Sequence, residues 1–147
     1  MKLDPHEEGM RWLLQARQDL DDANYNHKGK RYHLACFLSQ QAGEKALKAF
    51  LYSKGEEMVL GHSVAKLLKS ATRYDPDLEK IKGTAGLDKY YIPTRYPNGL
   101  PGGVPYEAFD EVDALKAHRI SIAGNRVCPA DYGNNRKLNI DLSTTST

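Results

Sequence analysis

The sequence predicts an all-α fold: an up-and-down bundle of four to five helices with a disordered, polar C-terminal tail. Three observations lead there. Apolar and small residues recur with a helical period over residues 31–54. A cap residue precedes proline twice, at Asp4-Pro5 and Asp75-Pro76, as at helix starts. No stretch reads convincingly as a strand with a partner.

The central stretch is the strongest signal. Ala35, Leu38, Ala42, Ala46, Ala49, Phe50 and Ser53 share one stripe, and Leu34, Phe37, Leu51 and Tyr52 widen it beyond what one partner covers. Such a helix belongs between neighbours, and its alanines let other backbones come close. At 1.5 Å per residue it spans about 35 Å, the width of a small domain. Gly55 is the expected C-cap, because glycine tolerates positive φ.

The first helix is expected over residues 5–26. Asp4 serves as N-cap, Pro5 as the first helical residue, and Glu7 and Glu8 lie at the positive end of the dipole. Met10, Leu13, Arg17, Leu20, Ala23 and Asn24 mark the inner face; Gln15, Gln18, Asp19 and Asp22 mark the outer one. A short turn at residues 27–30 favours an antiparallel pair. Residues 56–61 connect to a third helix capped by Ser63, with Val64, Leu67, Leu68 and Ala71 inward. A fourth opens at Asp75-Pro76, with Leu78, Ile81 and Leu87 inward and a break or bend near Gly83 and Gly86.

Residues 93–105, PTRYPNGLPGGVP, hold four prolines and three glycines and exclude regular structure. The stretch reads as an ordered loop packed on the body. Loops of this length in small domains are often functional. A fifth helix is expected over residues 106–122, with Phe109, Val112 or Asp113, Leu115 or Lys116, and Ile120 near its buried side. The bundle thus covers residues 5–123. Residues 124–147 are polar and aperiodic and read as a mostly disordered tail.

A chain of 147 residues has room for one core. A formal net charge of +2 is too small to imply nucleic-acid binding, so no DNA partner is expected. No stretch approaches the roughly 20 apolar residues of a membrane span, and the polar, acidic opening MKLDPHEEG is unlike a secretory signal. The two cysteines, Cys36 on the central helix and Cys128 in the tail, do not make a disulfide framework. A reducing, cytoplasmic setting is expected.

No catalytic, metal or cofactor signature stands out. The sequence lacks a GxxxxGK[ST] loop, HExxH, zinc spacing and GxSxG. The best ligand candidate is the loop cluster Tyr90, Tyr91, Arg95 and Tyr96. Arginine offers a planar fork for phosphate or carboxylate, and tyrosine can stack on a base. On the central helix Gln41, Lys45 and Lys48 share a side, where they could accompany a phosphate. The competing structural reading pairs Arg95 with Glu44 or another acid, uses the tyrosines to cover helix ends, and leaves the lysine strip solvated. Gln40, Gln41 and Glu44 could also serve loop amides, and His62 suits a local loop partner.

Four stretches together resemble the HEPN domain family: WLLQARQDL at residues 12–20, ACFLSQQAGEKALKAFL at 35–51, GHSVAKLL at 61–68 and YYIPTRYPNGLPGG at 90–103. The opening DPHEEGMRWLLQAR at residues 4–17 is similar to the C-terminal HEPN domain of sacsin, a chaperone-like protein. The resemblance implies a helical bundle that forms two-fold homodimers and binds a nucleotide, GTP or ATP, in support of a chaperone-type assembly with its chaperone partners. It also implies a longer, apolar last helix, from which Gly124 and Pro129 depart. Another branch of the family holds ribonucleases and toxins with an arginine followed four to six residues later by histidine; no arginine here has that partner. The expected role is therefore non-enzymatic, with a ribonuclease or a purely structural dimerisation module as the alternatives.

Overall fold

Asp4 caps the first helix as its sequence predicts: its carboxylate accepts from the His6 and Glu7 amides at 2.8 and 3.2 Å. In the computed structural model, which describes residues 4–128 and Tyr132, this helix, α1, spans Pro5–Lys28. Lys30, at φ 61°, turns the chain into α2, Tyr32–Ser53. Gly55 follows at φ 96° and ends it. Then come α3, Val64–Tyr74, a 3-10 segment Pro76–Tyr90, a one-turn α4, Pro105–Ala108, and α5, Glu111–Asn125. Among the described residues there is no strand.

Helix α2 is the hub, packing on α1 along its length and on α5, α3 and the 3-10 segment. Helices α1 and α2 are antiparallel: Lys45 meets Asp19, while Lys48 reaches back to Trp12. Helix α5 runs in the same sense as α2, with Asn125 Nδ2 on the Ala42 carbonyl and Cys128 Sγ 3.7 Å from that of Ala46. Small residues permit these approaches. A Cβ on Gly43 would stand 2.5 Å from Leu87 Cδ1, and one on Gly124 would stand 3.7 Å from Gly43 Cα. The core gathers Leu13, Leu47, Phe50, Leu51, Val64, Leu68, Leu87 and Tyr90.

Several expectations change. Residues 76–90 wind as a 3-10 helix whose irregular residue is Ile81 (φ −109°, ψ 26°), ahead of the two glycines. The fifth helix is split at Phe109, because Asp110 and Asp113 form a reciprocal capping box that starts a new helix. Its buried face is Ala114, Ala117, Ser121, Ile122, Gly124 and Asn125, and Val112 is 70% exposed. Gly124 is a packing contact and does not stop the helix. The polar tail expected from residue 124 therefore starts too early: Gly124, Asn125 and Cys128 are buried, and the Tyr132 hydroxyl donates to the His6 carbonyl. The remainder of that tail, residues 129–131 and 133–147, lies outside the described residues. Asp19, assigned to the outer face of α1, is 4% exposed, because Lys45 and Gln15 partner its carboxylate.

Both cysteines are free and buried. Burial pushes each thiol up to about 12, which keeps it protonated. Among the described residues no helix is long and apolar enough to cross a membrane.

Candidate functional site

The strap over residues 91–104 begins where the Tyr90 carbonyl accepts from the fully buried Thr94 hydroxyl at 2.5 Å. The amides of Arg95 and Tyr96 both donate to the Ile92 carbonyl, making a tight turn. Gly99 then folds back against Pro93, where a Cβ would stand 3.0 Å from Pro93 Cα. This turn aims Arg95 at α2. Its Nε donates to the Tyr91 carbonyl at 2.9 Å. Its guanidinium carbon lies 4.3 Å from the Phe37 ring centre, 4.8 Å from Tyr91 and 5.1 Å from Tyr96. Among the described residues no carboxylate pairs with Arg95, and its two terminal nitrogens have no hydrogen bond. The ring contacts hold the fork in place, each worth about 0.5–2 kcal/mol depending on desolvation.

A second layer continues from Tyr91. His62 stacks on it at 5.1 Å and 19°. His62 Nδ1 lies 3.4 Å from Glu44 Oε2, and Lys48 Nζ is 3.4 Å from the same oxygen. Gln40 donates to the other Glu44 oxygen at 3.2 Å, and Gln41 donates to Gln40 at 2.7 Å. The Lys48 ammonium also lies 4.8 Å from the Trp12 ring centre, and the indole donates to Glu8 at 3.0 Å. Burying the Glu44 charge demands this set of partners.

The structure therefore brings Arg95, Tyr91 and Tyr96 together and joins them, through His62, to Glu44, Lys48, Gln40 and Gln41. It does not bring in Tyr90, which is 1% exposed, stands edge-on to Phe109 and has its phenol pushed up to about 12 by burial. Lys45 turns to Asp19 on α1 at 2.5 Å, away from the strap. Lys48, 4% exposed, is engaged inward, so neither lysine stands as a free cation beside Arg95. The alternative pairing of Arg95 with Glu44 is absent; Glu44 faces Lys48 and His62 instead. The cage member missed in the sequence is Phe37. There it reads as stripe width, although its position one turn before Gln41 puts it on the polar side of the helix.

Chemically, the arrangement is a guanidinium with aromatic walls, a combination suited to an oxyanion. A part-buried guanidinium whose terminal nitrogens are unbonded suits phosphate or carboxylate in a bidentate fashion, and the half-exposed Tyr96 ring, at 51%, offers a stacking face. Among the described residues no group of histidine, cysteine and acidic side chains could hold a metal ion.

An all-helical bundle built around one central helix, with a proline-rich strap carrying an arginine against it, defines the class. The HEPN domain model matches residues 10–122, and the chain belongs to the HEPN family. It is similar to the crystal structure of TT1696 from Thermus thermophilus, at 36% identity over 81% of this chain and 94% of that one, with a TM-score of 0.75. It is also similar to ST0689, an archaeal HEPN homologue, at 40% identity over 80% of this chain and 92% of that one, with a TM-score of 0.66. No curated protein matches it.

Proposed function

We propose that the chain is a non-enzymatic HEPN module that binds a nucleotide, GTP or ATP, or a similar anion at Arg95, and that it works as a homodimer. The observation that supports this reading is the Arg95 guanidinium, held by Phe37, Tyr91 and Tyr96 and unpaired with any acid among the described residues. The phosphate meets the fork and the base lies on Tyr96. Tyr25 and Leu34, 77% and 37% exposed near the turn joining α1 and α2, supply apolar surface for the dimer. The similarity of residues 4–17 to the sacsin domain supports a cytoplasmic role in a chaperone-type assembly.

Calorimetry with GTP and ATP, on the wild type and on Arg95→Ala, tests the ligand. Heat of binding that Arg95→Ala abolishes is expected; no heat at millimolar ligand overturns the nucleotide reading. Sedimentation tests the dimer, and a monomer at working concentration overturns it.

A further inference from the structure

A concavity lies between α3 and the 3-10 segment. It encloses about 360 Å³ and shares no lining residue with the Arg95 site. That volume falls within the usual size of small-molecule sites. Its floor is apolar, formed by Leu68 and Leu78 with Ala65 and Ala85. Lys69, Arg73 and Lys82 stand around it, against one carboxylate, Glu79.

Paired and unpaired cations both occur among the described residues, and those of this groove are unpaired. Lys45 and Lys48 each have an acid partner, as does Arg11. Among the described residues Lys69, Arg73 and Lys82 have none. Two nearby acids that could balance them are committed to backbone amides. Asp75 accepts from the Asp77 amide and starts the 3-10 segment. Asp88 accepts from the amides of Val64 and Ala65 and from the Ser63 hydroxyl, fixing the start of α3. The lining of the groove thus sets three cations against one carboxylate over an apolar floor.

We propose that this groove binds a small amphipathic carboxylate. Its aliphatic or aromatic body lies on Leu68 and Leu78, and its head takes the Arg73 fork with Lys69 or Lys82 beside it. Arginine suits a carboxylate through two parallel N–H bonds. The Thr72 hydroxyl is committed to the Leu68 carbonyl, so the donors for a carboxylate head come from the Arg73 fork and the lysines. The proposal is independent of the Arg95 reading.

The test uses the full chain and two probes of equal tail length, decanoate and decyltrimethylammonium, each kept below micelle formation. Amide chemical shifts follow the titration. Decanoate is expected to move the amides of Leu68, Thr72, Leu78 and Ala85 and to saturate, whereas the cation is not. Arg73→Glu combined with Lys82→Glu is expected to weaken decanoate by about tenfold or more. Lys28→Glu, at the far end of α1, is expected to leave it unchanged. Equal binding of the two probes, shifts confined to other surfaces, or no saturable shift overturns the proposal. The comparison of probes on the wild type stands even if the double variant does not fold.

Discussion

Phe37 lies beneath Arg95, ring centre to guanidinium carbon 4.3 Å, and this contact joins the strap to the central helix. Charge alone does not account for such an arrangement. Arg95→Lys keeps the cation but loses the planar, stackable fork. Nucleotide affinity is expected to fall roughly tenfold in calorimetry, with an unchanged circular dichroism spectrum. A lysine variant with wild-type affinity would show that only charge is read.

The second prediction concerns the helix crossings. Gly43→Ala forces a Cβ to 2.5 Å from Leu87 Cδ1, in a fully buried place. The expected loss is about 1–3 kcal/mol in a denaturant titration. Gly124→Ala meets Thr84 Cγ2 at 3.3 Å, a milder contact. There the helix preference for alanine, about 1 kcal/mol, offsets much of the crowding, so the midpoint should move far less than for Gly43→Ala. Equal shifts in both variants would contradict the packing account.

The Glu44–Lys48 pair is sealed, with side-chain exposures of 3% and 5%. Removing one member leaves the other charge buried. Lys48→Ala is expected to destabilise by about 3–5 kcal/mol, and it also strips the cation from Trp12. Lys48→Met combined with Glu44→Gln, which removes both charges and keeps the volume, should recover much of that loss. Thermal unfolding of the two variants beside the wild type provides the check.

Stability should also depend on pH through histidine. Burial first, and His27 second, hold His118 below its ordinary value of 6.5; burial and Arg31 do the same to His33. With folded values depressed, the unfolded chain takes up protons first. Stability is therefore fullest above pH 6.5 and falls as pH drops through that value towards the folded pKa values. Melting temperatures between about pH 7.5 and pH 5 should show this decline, and His118→Gln should flatten it. An unaltered decline in a variant lacking both histidines would assign it to other groups.

Much of the scaffold could be read from local chemistry. Asp4, Ser63 and Asp75 act as caps where expected, and α2 ends within a residue of its forecast limits. These signals are short-range, so a single sequence carries them. The inner face of α5 was not legible because alanine, serine, glycine and asparagine make up most of it, and none of these declares burial by hydropathy. The Asp110 capping box was hidden inside an apolar pattern that continued across it. Asp19 and Lys48 read as solvated because the partner that buries each of them lies on another turn or another helix. At the candidate site the strap residues Tyr91, Arg95 and Tyr96 were visible as a cluster, but the cage needs Phe37, far earlier in the chain, and only folding brings it there.

The environment of Trp12 has a practical consequence. It is the only tryptophan in the chain, and its indole is hydrogen-bonded to Glu8, flanked by the Lys48 ammonium and stacked on Tyr52 at 6.3 Å. Lys48 in turn touches the carboxylate that holds His62. The molecule thus carries its own optical gauge: ultraviolet emission from one ring registers both the seating of α1 on α2 and any disturbance transmitted from the strap, with no dye attached.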